Sequence, residues 1–207
     1  EAINFLDKAP GSIVLNGGIL ETNQITVSSG ATTGNYSYYM SGGVLKLIGN
    51  SWADDNSALL HLDNSDMVFT MSGGQIRVEG ISSNSPNGIR IASSEGNYNV
   101  TGGSVNIDYT GGTPVQINST ANFYHMTVEQ NTEVILQSGL EITKDLTIEN
   151  GATLDADGND LSIGRDFNFN DGATFTHGNN TTYFIGDDTT AINIENTGTA
   201  SPLNFYN

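Results

Sequence analysis

The segment Leu140-Glu-Ile-Thr-Lys-Asp-Leu-Thr-Ile-Glu-Asn-Gly-Ala-Thr-Leu154 superposes on Leu161-Ser-Ile-Gly-Arg-Asp-Phe-Asn-Phe-Asn-Asp-Gly-Ala-Thr-Phe175 at a constant offset of 21. A period of that length restricts the fold sharply, because one such unit cannot bury its own apolar face and must stack on its neighbours. The register extends backward to Met126-Thr127-Val128 and Val134, about one repeat before Leu146-Thr147-Ile148 and Leu154. Forward, Ile192-Asn193-Ile194 is expected to restart it after a slightly longer interval.

The first half carries a looser repeat marked by glycine pairs: Asn16-Gly17-Gly18-Ile19-Leu20, Ser41-Gly42-Gly43-Val44-Leu45, Ser72-Gly73-Gly74-Gln75-Ile76 and Thr101-Gly102-Gly103-Ser104-Val105. Their first glycines recur at offsets of 25, 31 and 29. Alternating strands follow, as in Leu45-Lys46-Leu47, Ile76-Arg77-Val78 and Val105-Asn106-Ile107, with apolar residues on one face and the polar residue on the other. These features predict an all-β chain, a right-handed parallel β-helix (β-solenoid) with coils of about 20–31 residues, the glycine pairs serving as corners. One domain is expected over 1–207, with longer Gly-Gly coils in 1–119 and shorter coils of about 21 residues in 120–207. Eight or nine coils rising ~4.8 Å each would make a rod on the order of 40 Å long.

Composition agrees with strands and turns rather than helices: the chain is 36% hydrophobic and 14% charged, with 25 glycines, and it is poor in good helix formers. With six Lys plus Arg against 23 acids, the formal net charge is -17, which repels phosphate backbones and anionic headgroups. Nucleic acid is therefore disfavoured as a partner. No run approaches the roughly 18 apolar residues of a membrane-spanning helix, so direct membrane insertion is not expected. The absence of cysteine removes disulfides, Cys-based zinc sites and thiol nucleophiles together. An acidic, cysteine-free surface rich in Asn and Thr suits a secreted or cell-surface protein. The closing Ser201-Pro-Leu-Asn-Phe-Tyr-Asn207 echoes Thr120-Ala-Asn-Phe-Tyr-His125, which predicts continuation into further repeats of a longer parent chain.

The unit Asp-Leu-Thr-Ile-Glu-Asn-Gly-Ala-Thr-Leu at 145–154, followed by Leu161-Ser-Ile-Gly-Arg-Asp-Phe, resembles the repeats of large secreted cell-surface β-helix proteins of Bacteroidetes, many of them substrates of type IX secretion. The resemblance is strongest over 120–207. It implies a surface-exposed, adhesin-like protein.

Several residues are candidates for chemistry. Asp155, Asp157 and Asp160, around Gly158, form an abbreviated calcium loop, calcium being the one cofactor the sequence offers. The equivalent segment one repeat later, Thr176-His177-Gly178-Asn179-Asn180, has no carboxylate, which favours a shared Gly-Asn turn over a metal cage. The pairs Asp54-Asp55, Asp63 with Asp66, and Asp187-Asp188 have the composition of calcium or glycosidase carboxylates, but they equally suit a solvated acidic surface. Lys46 and Arg77 share one repeat position; Lys144 and Arg165 share another, beside Asp145 and Asp166, and read as a compensated polar ladder. His61, His125 and His177 fall in unrelated contexts, so no catalytic order can be built and catalysis is not expected. Tyr36, Tyr38, Tyr39 and Trp52 cluster in a polar, insertion-like segment and are the candidate ligand-binding residues, since exposed aromatics stack on sugar rings, but the same cluster suits a small satellite core under a long loop, and that reading is favoured over ligand binding. The leading expectation is a non-catalytic extracellular structural or adhesive module of a large bacterial surface protein, its partner an extracellular polysaccharide or surface protein. The alternative is a carbohydrate-binding or polysaccharide-processing β-helix.

Overall fold

The computed structural model describes residues 2–5, 11–27, 36–49, 58–82, 87–186 and 194–196. Among them the chain is all-β, without a helix, and its strands form three parallel sheets. The first sheet stacks, in order, Ala2–Phe5, Gln24–Val27, Leu60–Leu62, Asn87–Ile91, Val115–Ser119, Glu133–Leu136, Thr153–Asp155 and Thr174–Thr176. The second stacks Ser12–Thr22, Ser37–Leu47, Val68–Val78, Tyr98–Ile107, His125–Val128, Leu146–Ile148, Phe167–Phe169 and Ile194–Asn196. The third holds Leu140–Ile142, Leu161–Ile163 and Thr182–Phe184, and Phe123 bridges to Ile142 beneath it. Up to Val115–Ser119 the chain fills the first two sheets alternately; from Glu133–Leu136 onward it visits the first, third and second in rotation.

Alternation places the core. In Leu60-His-Leu, Leu146-Thr-Ile, Leu161-Ser-Ile and Phe167-Asn-Phe the outer two residues are buried and the middle one faces away. Their inward side chains join one continuous apolar cluster that runs from Ile25 to Ala173. Each fully buried Leu, Ile or Phe contributes roughly 1.5–3 kcal/mol. The stacking register is the sequence repeat itself: Leu140 pairs with Leu161, Leu146 with Phe167 and Leu154 with Phe175, each at the 21 offset. The looser repeat holds too, since Ile19 pairs with Val44, Val44 with Gln75 and Gln75 with Ser104, offsets of 25, 31 and 29. A one-residue slip would turn every inward side chain outward, which is why the register is visible in sequence. The last strand differs from expectation, because Ile194, Glu195 and Asn196 pair with Phe167, Asn168 and Phe169. Ile192, Asn193 and the closing segment 201–207 lie outside the described residues.

The glycine pairs are not corners between strands. They lie inside strands of ten or eleven residues, where the chain bends without leaving the ladder. Tyr38 and Met40 point inward before the pair, and Leu45 and Leu47 point inward after it. From Met40 to Leu45 is an odd step, so strict alternation would expose one set; the glycine pair breaks the alternation at the same place in each strand, and the register between strands is the same on both sides of it. Gly43, Gly74 and Gly103 have φ of 78°, 82° and 89°, the left-handed region that favours glycine. In the second half Thr143-Lys-Asp145 separates Leu140 and Ile142 from Leu146 and Ile148, and the strand is cut in two. That cut creates the third sheet.

Candidate functional site

The four aromatic candidates separate in space. Tyr36 and Tyr38 are core residues at 1% exposure. Tyr38 stacks on Phe69 with ring centroids 5.5 Å apart, its hydroxyl lies 3.3 Å from the Met40 sulfur, and burial pushes its pKa up. Neither ring offers a face to a ligand, so both are corrected as ligand-binding candidates; they lie in the core, and in the main one rather than a satellite, because the alternation that buries Met40 buries Tyr38 as well. Tyr39, one residue on, points outward at 40% exposure and stands in register between Val14 and Thr70. Trp52 lies outside the described residues, as do Asp54, Asp55, Asp187 and Asp188.

The three aspartates of the abbreviated loop do not converge. Asp155 accepts the backbone N–H of Asp157 at 2.8 Å, closing a turn in which Asp157 and Gly158 have φ of 49° and 75°. Asp160 accepts the N–H of Thr181 at 3.4 Å, in the next repeat. Asn159 donates to the carbonyls of Leu136 and Ala156 at 3.0 and 3.1 Å, which fixes the turn on the strand beneath. The following repeat rebuilds the turn with Gly178 and Asn179 at φ of 66° and 70°. Among the described residues no three His, Asp or Glu side chains come together to hold a metal ion.

Outward positions instead form columns. Glu21, Lys46, Arg77, Asn106, Thr127, Thr147 and Asn168 stand one above another on the second sheet. Beside them Glu79, Asp108, Glu129, Glu149 and Asn170 follow the strand ends, each donating its N–H to the strand beneath. At the lower levels cations pair with acids of both columns: Lys46 lies 3.4 Å from Glu21 and 3.0 Å from Glu79, and Arg77 lies 2.9 Å from Glu79 and 2.6 Å from Asp108. Higher up, amides replace cations, Asn106 donating to Glu129 and Asn170 to Glu149, both at 2.7 Å.

Two histidine clusters were not legible from local context. On the first sheet Asp63 lies 3.5 Å from His61 and 3.1 Å from Arg90, and His61 and Arg90 are register partners. At the edge of the second sheet, Asp145 lies 3.0 Å from His125 Nδ1 and takes both Nε and Nη2 of Arg165, with the Asp166 N–H at 3.3 Å. Burial alone would raise the Asp145 pKa, but the Arg165 hydrogen bonds, the Asp166 N–H and both nearby positive charges hold it below its ordinary value. Burial lowers the His125 pKa; Asp145 opposes this, but Arg165 and Lys144 offset much of its pull and the net shift is downward. A neutral imidazole oriented by a carboxylate has the parts of a general base. Its described neighbours are Asp145 and the Tyr124 ring, which meets it edge-on with centroids 4.8 Å apart. Comparison with protein-family models, curated proteins and solved structures finds no match to this chain.

Proposed function

We propose that the chain is a right-handed parallel β-helix serving as a non-catalytic structural and adhesive module of a large secreted bacterial surface protein. The supporting observation is the pairing of one continuous inward core with outward columns that satisfy their own charges. Such a molecule gains length by adding repeats and leaves its outer loops free to vary. Right-handedness follows from the strong preference of parallel crossovers. The resemblance of residues 145–167 to bacterial surface repeats supports the location, and the net charge of -17 disfavours anionic partners. The inference that no reaction is catalysed rests on the histidine clusters, whose carboxylates are engaged by arginines.

A second reading, carbohydrate binding, is favoured by Tyr39, an outward aromatic beside exposed Val14. Affinity electrophoresis through neutral and acidic polysaccharides, with calcium and with chelator, separates the two. The structural reading expects uniform migration. Retardation by one polymer, abolished by Tyr39→Ala, would replace it with the carbohydrate reading.

A further inference from the structure

Asn-Gly steps occur at Asn16-Gly17, Asn87-Gly88 and Asn150-Gly151. The first two lie in the strands Ser12–Thr22 and Asn87–Ile91, where Asn16 Oδ1 accepts the Ser41 hydroxyl at 2.8 Å and Gly88 is buried. The third is the exposed tip of a turn, closed by the Ala152 N–H donating to the Glu149 carbonyl at 3.0 Å. It is stacked between the turns 129–132 and 170–173, which the same bond closes. Gly151 has φ of 69°, so this turn keeps a glycine after Asn150.

The two central residues of the turn carry the parts of a reaction. The peptide N–H between them is not used within the turn; it reaches the Asp171 carbonyl at 3.3 Å, the long limit for such a bond. With no Cβ on Gly151, no side chain shields that nitrogen from the Asn150 amide. Nearby turn amides are held, Asn159 by the Leu136 carbonyl at 3.0 Å and Asn170 by Glu149 at 2.7 Å. Among the described residues no hydrogen bond holds the Asn150 side chain.

We propose that Asn150 is a site of spontaneous deamidation, with the Gly151 nitrogen as nucleophile and water as co-reactant. The Gly151 N–H gives its proton to solvent, the nitrogen bonds to Asn150 Cγ, and Nδ2 takes up a proton and leaves as ammonia. Water then opens the cyclic imide at either carbonyl, leaving aspartate or isoaspartate at position 150, with no oxidation or reduction. The stack treats the two products differently. Aspartate reproduces the Asp171-Gly172 step of the level above, which the fold already carries. Isoaspartate runs the main chain through Cγ and lengthens the turn by one backbone atom, directly before Thr153, which is fixed in register with Glu133 and Thr174. The inference does not depend on what the module binds.

The test is peptide mass mapping of the full chain during incubation in mildly alkaline buffer, in parallel with the chain unfolded in urea. In the native chain the mass gain that marks loss of an amide should accumulate at Asn150 about tenfold or more faster than at Asn16 or Asn87, whose strands must first open. In urea the three rates should converge. Asn150→Gln, whose longer side chain closes the imide ring poorly, should abolish the signal at that position with the melting temperature unchanged. Asn150→Asp should melt like wild type, whereas aged chains, their isoaspartate counted by enzymatic methyl transfer, should melt lower. A native rate at Asn150 no faster than at Asn16 and Asn87, or about tenfold or more below its own rate in urea, overturns the proposal, because the turn would then protect the step as a strand does. Aged chains that melt like Asn150→Asp overturn it as well.

Discussion

Replacing Gly164 by alanine tests whether level-on-level contact sets the backbone. Gly164 lies at the corner between Leu161–Ile163 and Phe167–Phe169, and its N–H donates to the Ile142 carbonyl at 2.8 Å. A Cβ there would overlap the Thr143 carbonyl oxygen and fall 2.6 Å from its carbon. Real Cβ atoms do not approach backbone that closely, and a backbone carbonyl has no other rotamer to adopt. The corner must therefore lift by about 1 Å or more, which puts the cost near the top of the overpacking range, about 3 kcal/mol. Loss of the Gly164–Ile142 hydrogen bond would add about 1 kcal/mol. Gly139→Ala is the matched control, because its Cβ would sit 3.4 Å from the Asp160 carbonyl oxygen, an ordinary contact. Neither glycine has a positive φ, so the two variants differ in packing and not in backbone conformation. Urea unfolding followed by circular dichroism should show Gly164→Ala destabilised by about 3–4 kcal/mol at unchanged m, and Gly139→Ala within about 0.5 kcal/mol of wild type. At roughly 2–4 °C per kcal/mol for a chain of this size, the thermal midpoint of Gly164→Ala should fall by about 6–16 °C. Equal midpoints for the two variants would refute the close stacking on which the argument rests.

Tyr38→Ala should cost about 3–5 kcal/mol, as truncation of a buried aromatic does, while Tyr39→Ala should stay within about 0.5 kcal/mol; paired urea curves decide it. Lys46→Ala should lower the urea midpoint only slightly, and the change should shrink further in high salt, because its two carboxylate partners are solvent-accessible. The pH dependence has a fixed sign. His125 binds its proton more weakly in the fold than in the unfolded chain, so stability falls as pH drops below its ordinary value of 6.5 towards the lower folded value. Asp145, held below its ordinary 3.8, contributes stability that is full above that value and lost as pH falls through the folded one. Melting from pH 8 to pH 3 should therefore show two downward steps, and His125→Gln should remove only the upper one. Calcium and chelator should leave the melting temperature unchanged; a rise with calcium that Asp157→Asn abolishes would mean that Asp155, Asp157 and Asp160 regroup around the ion.

The stacking offsets were legible because a solenoid-like register is steric: inward residues must lie over inward residues, and Leu146, Phe167 and their neighbours carry that demand in type as well as position. The glycine pairs were located but misread, since a pair of glycines signals a turn and a bulge equally well in one sequence. The parity of the flanking residues separates the two readings, because Met40 and Leu45 are both apolar at an odd step, which a bulge inside one strand accommodates. Tyr38 was read either as a ligand-binding residue or as part of a satellite core, although its place in the main core was available by the same logic: its offset to Phe69 equals that between the glycine pairs that follow the two rings. His125 and Asp145 looked unrelated along the chain, yet each immediately precedes a register-paired inward residue, Met126 and Leu146, and so they share a column. Columns, not neighbours in sequence, carry the chemistry of such a fold. The pairing of Arg165 with Asp145 and Asp166 is the charge compensation that their shared repeat positions had suggested, whereas the approach of His125 to the same carboxylate had no such signal.

The acidic surface has a structural origin in the same columns. The corner after the second sheet receives an acid in level after level, at Glu79, Asp108, Glu129 and Glu149, whereas among the described residues the cations paired with these acids are Lys46 and Arg77. Above that point Asn106 and Asn170 supply hydrogen bonds without charge, satisfying the carboxylates while leaving their negative potential intact. Local satisfaction and net neutrality are thus separated. A stack built this way is stable without compensating cations and repels its own kind along its sides, which opposes lateral association of a β-rich molecule.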